Sequence, residues 1–277
     1  PGLGAVAQFR TRALAAVGLE VLHARRLLAQ TQRGNKRRVR RVTATIAAAL
    51  MLLSGGLATA AECVVLLHGL SRSSLSMNKM ERELVAAGFL TANIDYPSRE
   101  HTVEELAGMA VPEGLETCRA LEDVATIHFV THSLGGILLR QYLSEHAIPE
   151  LGRVVMLGPP NQGSAAVDTL SDLPGFDWVN GPAGRQLGQG ESSVPLRLGP
   201  ADFELGVIAG DRTIDPVTSA VLPDPDDGKV SVEDTKLDGM ADFVVVGHSH
   251  AFMMRMRKVI DLTIRFLESG SFGESAQ

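Results

Sequence analysis

Positive charge is scarce in most of this chain. Ten of its 26 lysines and arginines lie in the first 60 residues, whereas 31 of its 32 acidic residues lie beyond them. Residues 61–277 therefore carry 16 basic and 31 acidic side chains and a net charge of −15. A body that acidic repels phosphate backbones and anionic lipid, so the sequence argues against a nucleic-acid-binding protein.

Long apolar runs are absent as well. The run at 44–53 covers only about half of the roughly 20 residues that a transmembrane helix needs. It follows a basic cluster at 36–41 and precedes the small-residue pattern A-T-A at 58–60, which is the order typical of a secretory signal peptide. We interpret 35–60 as that peptide, with cleavage after Ala60, and 1–34 as a non-native or disordered leader. The chain is then expected to be periplasmic or secreted; an uncleaved segment that anchors it to the inner membrane is the alternative.

Cysteine is rare, and the sequence contains only Cys63 and Cys118. An even number of cysteines in an exported protein favours a disulfide. Cys63 lies at the start of a predicted strand and Cys118 lies shortly before another, so the two can meet if these strands are neighbours. Two buried free thiols are the alternative.

Beyond residue 60, short apolar segments alternate with helix-like segments. Continuous apolar runs such as C-V-V-L-L are typical of strands that are covered on both faces. The alternation predicts an α/β fold with a mostly parallel central sheet and helices on both faces. Strands are predicted at 63–67, 89–94, 127–130, 154–157, 205–209 and 243–246, and helices at 76–87, 103–109, 114–121, 137–142 and 252–267.

The alternation stops between residues 162 and 200. Glycine, proline, serine and aspartate are dense there, and Trp178, the only tryptophan, lies among them. A long irregular segment within a compact domain is often functional, so we predict a partial cap or substrate-binding loop over the strand ends. An ordinary packed surface loop is the alternative.

The segment T-I-H-F-V-T-H-S-L-G-G-I-L-L-R-Q-Y at 126–142 carries the clearest chemical signal. Its apolar strand ends at Ser133, and a helix pattern begins at once. A serine at such a sharp turn presents its hydroxyl above the strand ends, with the first amides of the helix directed at whatever it attacks. Gly135 and Gly136 have no side chain to prevent close packing of the helix against the turn.

The pattern T-H-S-L-G at 131–135, the sharp turn between strand and helix that is called the elbow below, resembles the G-x-S-x-G motif of the α/β-hydrolase superfamily. Within that superfamily it resembles the secreted bacterial lipases and esterases. The resemblance covers roughly residues 63–268, and Thr131 stands where the family has a glycine. It implies the α/β-hydrolase fold, with Ser133 as the nucleophile and the Leu134 amide in the oxyanion hole. His68-Gly69-Leu70 matches the family's H-G-x segment, which implies the Leu70 amide as the second oxyanion donor and a structural role for His68.

The family order of serine, acid and histidine directs attention to the segments after the last two strands. His250 precedes the final helix and is our choice for the base, with His248 as the alternative. The spacing of the two histidines would also allow a metal ion between them in an extended chain, although no further ligand cluster supports one. D-D-G-K-V at 226–230 resembles the family's N-D-G-x-V segment, which implies Asp227 as the acid; Asp211 is the alternative.

The resemblance therefore implies a serine hydrolase that cleaves carboxylic esters through a Ser-His-Asp triad, without a metal or organic cofactor. A small-molecule or lipid ester is the expected substrate, with possible contact at a lipid interface. Thioester or amide cleavage is an alternative reaction. A catalytically inactive binding module of the cell envelope and a zinc hydrolase are alternatives of other classes.

Overall fold

The computed structural model of this protein describes residues 61–273. The predicted leader, signal peptide and cleavage site lie outside these residues. No helix within 61–273 has the length and apolar character needed to cross a bilayer.

The described chain contains six strands and eight α-helices. The strands are β1 (Ala61–Leu67), β2 (Leu90–Ile94), β3 (Val124–His132), β4 (Leu151–Leu157), β5 (Leu205–Gly210) and β6 (Asp242–Val246). The helices are α1 (Asn78–Ala86), α2 (Val103–Arg119), α3 (Leu134–Glu145), α4 (Ala165–Leu170), α5 (Phe176–Arg185), α6 (Val194–Arg197), α7 (Pro216–Ser219) and α8 (Arg257–Ser269). Short 3₁₀ turns occur at Ser74–Ser76, Glu233–Thr235 and Met253–Arg255.

All six strands are parallel and form one sheet in the order β2-β1-β3-β4-β5-β6. The prediction of a parallel α/β sheet is confirmed. The chain winds outward from β1 to β2 and then returns to the other side of β1 with β3. Parallel sheets bind ligands outside the carboxyl ends of their strands at such a reversal point. The segments that follow β1 and β3 therefore define the place where a site is expected.

Two apolar layers cover the sheet, because successive strand side chains point to opposite faces. In β1, Val65 and Leu67 belong to the layer that holds α2 and α3. Val64 and Leu66 belong to the layer that holds α1 and α8. The sheet is therefore buried on both faces, as its continuous apolar strands require.

Helix α2 is longer and more regular than its sequence indicates. Two separate helical segments are predicted around Pro112, but one helix runs through this proline from Val103 to Arg119. Proline removes an amide that would donate to the carbonyl four residues earlier, here that of Gly108. Gly108 is exposed, so water can satisfy its carbonyl. A capping box between Thr102 and Glu105 stabilises the start of the helix.

The structure contains the predicted disulfide between Cys63 in β1 and Cys118 in the last turn of α2. Their Cα atoms are 5.8 Å apart, and both residues are fully buried. β1 and β3 are neighbours in the sheet, as the pairing argument requires. The bond therefore ties the strand that precedes the candidate oxyanion loop to the helix that covers it.

We predict that replacing both cysteines by alanine lowers the free energy of unfolding by about 2–4 kcal/mol. The bond joins residues that are 55 positions apart, and it therefore restricts the conformations of the unfolded wild-type chain. Urea unfolding of wild type and Cys63→Ala/Cys118→Ala, each with and without reductant, checks this. Reductant should destabilise only the wild type. An equal effect of reductant on both proteins would contradict the assignment.

Candidate active site

The turn between β3 and α3 holds Ser133 in an unusual backbone conformation. Its φ and ψ are 53° and −120°, and positive φ occurs at only two other non-glycine residues within 61–273. Its amide donates to the Leu157 carbonyl at 2.9 Å, and its carbonyl accepts from the Gly136 amide at 3.0 Å. These two hydrogen bonds hold the backbone of Ser133 in this conformation despite its steric cost.

Close packing of α3 against the sheet explains the two glycines that follow. A Cβ on Gly135 would lie 2.6 Å from the Leu67 carbonyl oxygen, which no real side chain tolerates. A Cβ on Gly136 would lie 3.1 Å from the Met156 sulfur and 3.2 Å from the Thr131 hydroxyl. The helix can therefore approach the end of β1 only because Gly135 lacks a side chain, whereas a side chain at Gly136 would require Met156 and Thr131 to shift slightly.

Thr131 occupies the position where the elbow motif has its first glycine. It is fully buried, and its hydroxyl has no hydrogen-bond partner within the described residues. The absence of a side chain at Gly136 leaves room for it. The threonine is therefore accommodated sterically, but its hydroxyl makes no compensating bond.

Asp227 and His250 form a buried pair beside this turn. His250 Nδ1 lies 2.7 Å from Asp227 Oδ2, and the exposed fractions of the two residues are 7% and 1%. The other carboxylate oxygen of Asp227 accepts the amides of Lys229 and Val230 at 3.0 and 2.9 Å. The His250 amide also donates to the Asp227 carbonyl at 2.9 Å. The carboxylate is thus held in place by its own loop and fixes the histidine ring by its Nδ1 atom.

The alternative residues are placed differently. The Asp211 carboxylate has Arg212 at 3.8 Å as its ion-pair partner, and its buried Oδ1 atom has no hydrogen bond within 61–273. His248 is half-buried and does not line the cavity described below. Neither residue is brought to Ser133 or to His250 by a hydrogen bond of the described chain.

The two expected oxyanion donors follow the neighbouring strands β1 and β3. Leu134 is the first residue of α3, so its amide has no acceptor within the helix. Leu70 follows β1, and its amide makes no hydrogen bond among the described residues. Two backbone amides without an acceptor among the described residues therefore occur at this site: that of Leu134 next to Ser133, and that of Leu70, which lines the same cavity as Ser133.

His68 and Tyr96 hold the loop that carries Leu70. Their rings are stacked with centroids 3.9 Å apart, and the Tyr96 hydroxyl donates to the His68 carbonyl. His68 Nδ1 donates to the Gly69 carbonyl at 2.8 Å. Burial lowers the pKa of His68, which keeps the ring neutral. Its position is that of a structural support.

His132 is a further member of the site that sequence reasoning did not single out. It is 1% exposed, and its Nε2 atom donates to the His250 carbonyl at 3.0 Å. Burial, followed by the proximity of His250, lowers its pKa well below 6.5, so the ring stays neutral. It therefore ties the elbow directly to the loop of the candidate base. Its place immediately before Ser133 was the only signal available.

Arg140 was missed as well. This residue of α3 is 5% exposed, and burial lowers its pKa to about 10. Its guanidinium donates to the Asn161 carbonyl and side-chain oxygens at 3.2 and 3.1 Å, and to the carbonyls of Pro195 and Gly199 at 3.1 and 2.8 Å. Helix α3 is thereby joined to Asn161, which directly precedes the segment at 162–200, and to the C-terminal end of that segment.

A cavity of about 420 Å³ opens above Ser133 and His250. Residues of the segment at 162–200, which contains α4, α5 and α6, form its apolar wall. Trp178 is 81% exposed and does not line it. The lining consists of Leu70, Ser71, Arg72, His132, Ser133, Pro160, Ser164, Ala166, Val167, Leu170, Phe176, Val179, Asn180, Gly184, Leu187, Thr218, Lys229, Val230 and His250.

Solved structures of hydrolases share this architecture. A lipase from Bacillus licheniformis, BlEst2 in its mature form, superposes with a TM-score of 0.56 at 18% identity over 71% of this chain and 88% of that chain. The phospholipase PlaB from Legionella pneumophila gives 0.61 at 18% identity over 76% of this chain and 60% of that one. A metagenomic carboxyl esterase, MGS0156, gives 0.51 at 20% identity over 70% and 66%.

The sequence matches no protein-family model and no curated protein sequence. The six-stranded parallel sheet and these neighbours nevertheless identify the architecture: the chain has the α/β-hydrolase fold.

We predict that Thr131→Val leaves the free energy of unfolding unchanged or raises it by up to about 1 kcal/mol, because it removes a buried hydroxyl that has no partner. Thr263→Val is the matched control. Thr263 is equally buried, but its hydroxyl donates to the Val259 carbonyl at 2.9 Å, so its loss should cost about 1 kcal/mol. Urea unfolding measures both. Equal losses in the two variants would show that Thr131 has a bonding partner.

Proposed function

We propose that this protein is a serine hydrolase that cleaves carboxylic esters, with Ser133 as nucleophile, His250 as general base and Asp227 as the acid that orients it. The observation that carries the proposal is the buried contact of 2.7 Å between His250 and Asp227, beside a strained Ser133 that lines the same cavity as His250. A serine hydroxyl becomes an effective nucleophile when an oriented histidine removes its proton.

In the proposed reaction, His250 accepts the Ser133 proton at Nε2 as the serine oxygen attacks the ester carbonyl. The contact with Asp227 selects the tautomer that has its proton on Nδ1 and stabilises the imidazolium. The Leu70 and Leu134 amides donate to the oxyanion of the tetrahedral intermediate. His250 returns the proton to the leaving alcohol, and a water molecule, activated in the same way, releases the acid from Ser133.

The cavity wall supports an ester with an apolar acyl group. Val167, Leu170, Phe176, Val179 and Leu187 line it, and the enclosed volume lies at the small end of the range for ligand pockets. Structural neighbours that are described as a lipase, a phospholipase and a carboxyl esterase favour ester over amide cleavage. In this proposal the segment at 162–200 acts as a partial cap that shapes the acyl site.

Replacement of the three proposed catalytic residues tests the mechanism. For the full chain, Ser133→Ala and His250→Gln should lower kcat/KM on 4-nitrophenyl esters at least about 10⁴-fold, and Asp227→Asn about 10³–10⁴-fold, because each variant removes a function of one catalytic unit. Rates on a series from acetate to palmitate, with a fluorophosphonate label as a probe of the nucleophile, provide the measurement.

Asp211→Asn and His248→Gln are the matched controls, and both should stay within about threefold of wild type. Loss of activity in either control, with retention in its counterpart, would reassign the acid or the base. Wild type and Ser133→Ala that are equally inactive on every ester and equally unlabelled would overturn the proposal in favour of a binding module.

We also propose that the protein is exported. The buried disulfide between Cys63 and Cys118 is typical of an oxidising compartment, and the sequence pattern at 35–60 is that of a signal peptide. Expression of the full chain in a bacterial host, followed by N-terminal sequencing of the periplasmic and secreted fractions, tests this. A mature protein that begins at Ala61 is expected. Retention of the whole chain in the cytosol would contradict the proposal.

A further inference from the structure

The cavity is positively charged although it belongs to an acidic body. Residues 61–277 carry a net charge of −15, yet no aspartate or glutamate within 61–273 lines the cavity. Two permanent cations do, Arg72 and Lys229. A site whose charge is opposite to that of its surroundings indicates the charge of what it binds.

Only one of these cations is available to a ligand. Lys229 Nζ lies 2.7 Å from Asp215 Oδ2 and 3.2 Å from the Thr218 hydroxyl, and this lysine is the main cause that lowers the pKa of Asp215. Arg72 has no hydrogen-bond acceptor and no carboxylate within 4.0 Å in the described part of the chain. Its charged neighbour is Arg255, which repels it. The half-buried guanidinium of Arg72 therefore carries an unbalanced charge.

The backbone that presents Arg72 is held firmly. The preceding residue, Ser71, has a φ of 55°, which is rare for a residue other than glycine. Its amide donates to the Ser98 hydroxyl at 3.1 Å, and its own hydroxyl donates to the Val179 carbonyl at 2.6 Å. The second bond ties this loop to α5, whose side chains form part of the apolar wall.

The guanidinium also lies near the reacting groups. Arg72 comes two residues after Leu70, the proposed oxyanion donor, and its charge contributes to the lowered pKa values of His68 and His132. Both histidines flank the elbow.

We propose that Arg72 binds an anionic group, a carboxylate or a phosphate, that the ester substrate carries in addition to the bond that is cleaved. This inference rests on the proposed ester hydrolysis and defines its substrate class as anionic esters. The planar guanidinium can bind either group with two parallel hydrogen bonds. The apolar wall then holds the acyl chain, while Arg72 holds the charged end.

Two matched pairs of soluble substrates test the proposal with the full-length chain. The first pair, 4-nitrophenyl valerate and 4-nitrophenyl hydrogen glutarate, differs by a carboxylate at the end of the acyl group. The second pair, 1-octanoylglycerol and 1-octanoylglycerol 3-phosphate, differs by a phosphate on the alcohol. The pairs therefore distinguish an anion on the acyl side from one on the alcohol side.

Wild type should have the higher kcat/KM on the anionic member of at least one pair. Arg72→Gln should lower that value roughly ten- to a hundredfold, the range expected for a charge-assisted hydrogen bond, and should leave the neutral member within about twofold. Arg255→Gln is the control, since it removes a neighbouring positive charge that does not line the cavity. It should change neither rate by more than about twofold.

Equal rates of wild type on both members of both pairs would overturn the inference, as would a preference that survives Arg72→Gln or is lost equally in Arg255→Gln. Neither result would affect the proposed function, because esters would still be hydrolysed. If wild type hydrolyses none of the four esters and Ser133→Ala is indistinguishable from it, the proposed function itself is refuted.

Discussion

The contact between the first turn of α3 and the carboxyl end of β1 is the constraint on which the candidate site depends. With no Cβ at Gly135, the helix backbone lies directly against the Leu67 carbonyl. This proximity forces the chain to turn sharply at Ser133 and places the Leu134 amide next to the loop that holds Leu70. Because β1 and β3 are neighbours in the sheet, the segments that carry Leu70 and Leu134 lie close together. The sheet and the loop that His68 and Tyr96 hold therefore fix this geometry.

Much of the fold could be predicted from local patterns. All six strands occur at the predicted positions, and burial on both faces gives strands such as β1 a continuous apolar sequence. The disulfide followed from compartment and strand order. The continuity of α2 through Pro112 could not be predicted, because it depends on solvent access to one carbonyl. The helices at 165–170 and 176–185 were missed because both are short, and the second contains Gly181, Pro182 and Gly184.

Some residues of the candidate site could likewise be selected from the sequence, and others could not. Ser133 could be selected from its position between a strand and a helix pattern, whereas the roles of Leu70 and Leu134 were implied by resemblance to a family. The pairing of Asp227 with His250 joins two loops 23 residues apart and could be expected only through resemblance to a family. Arg140 has no sequence signal of its own, and the only signal of His132 is its place before Ser133, because both residues act through contacts to the backbone of distant segments. Because burial lowers the pKa of His132, this ring stays neutral and adds no positive charge beside His250.

The surroundings of Arg140 bear on how this protein can evolve. Its buried charge is balanced by carbonyl dipoles and one carboxamide, and two of those carbonyls belong to Pro195 and Gly199. Shortening the segment at 162–200 would remove two of the four acceptors of a buried cation, which is destabilising because a buried charge needs its hydrogen-bond partners. The segment is thus not an interchangeable insertion. We expect homologues with a shorter segment to have lost the arginine too, so that position 140 and the length of this segment vary together.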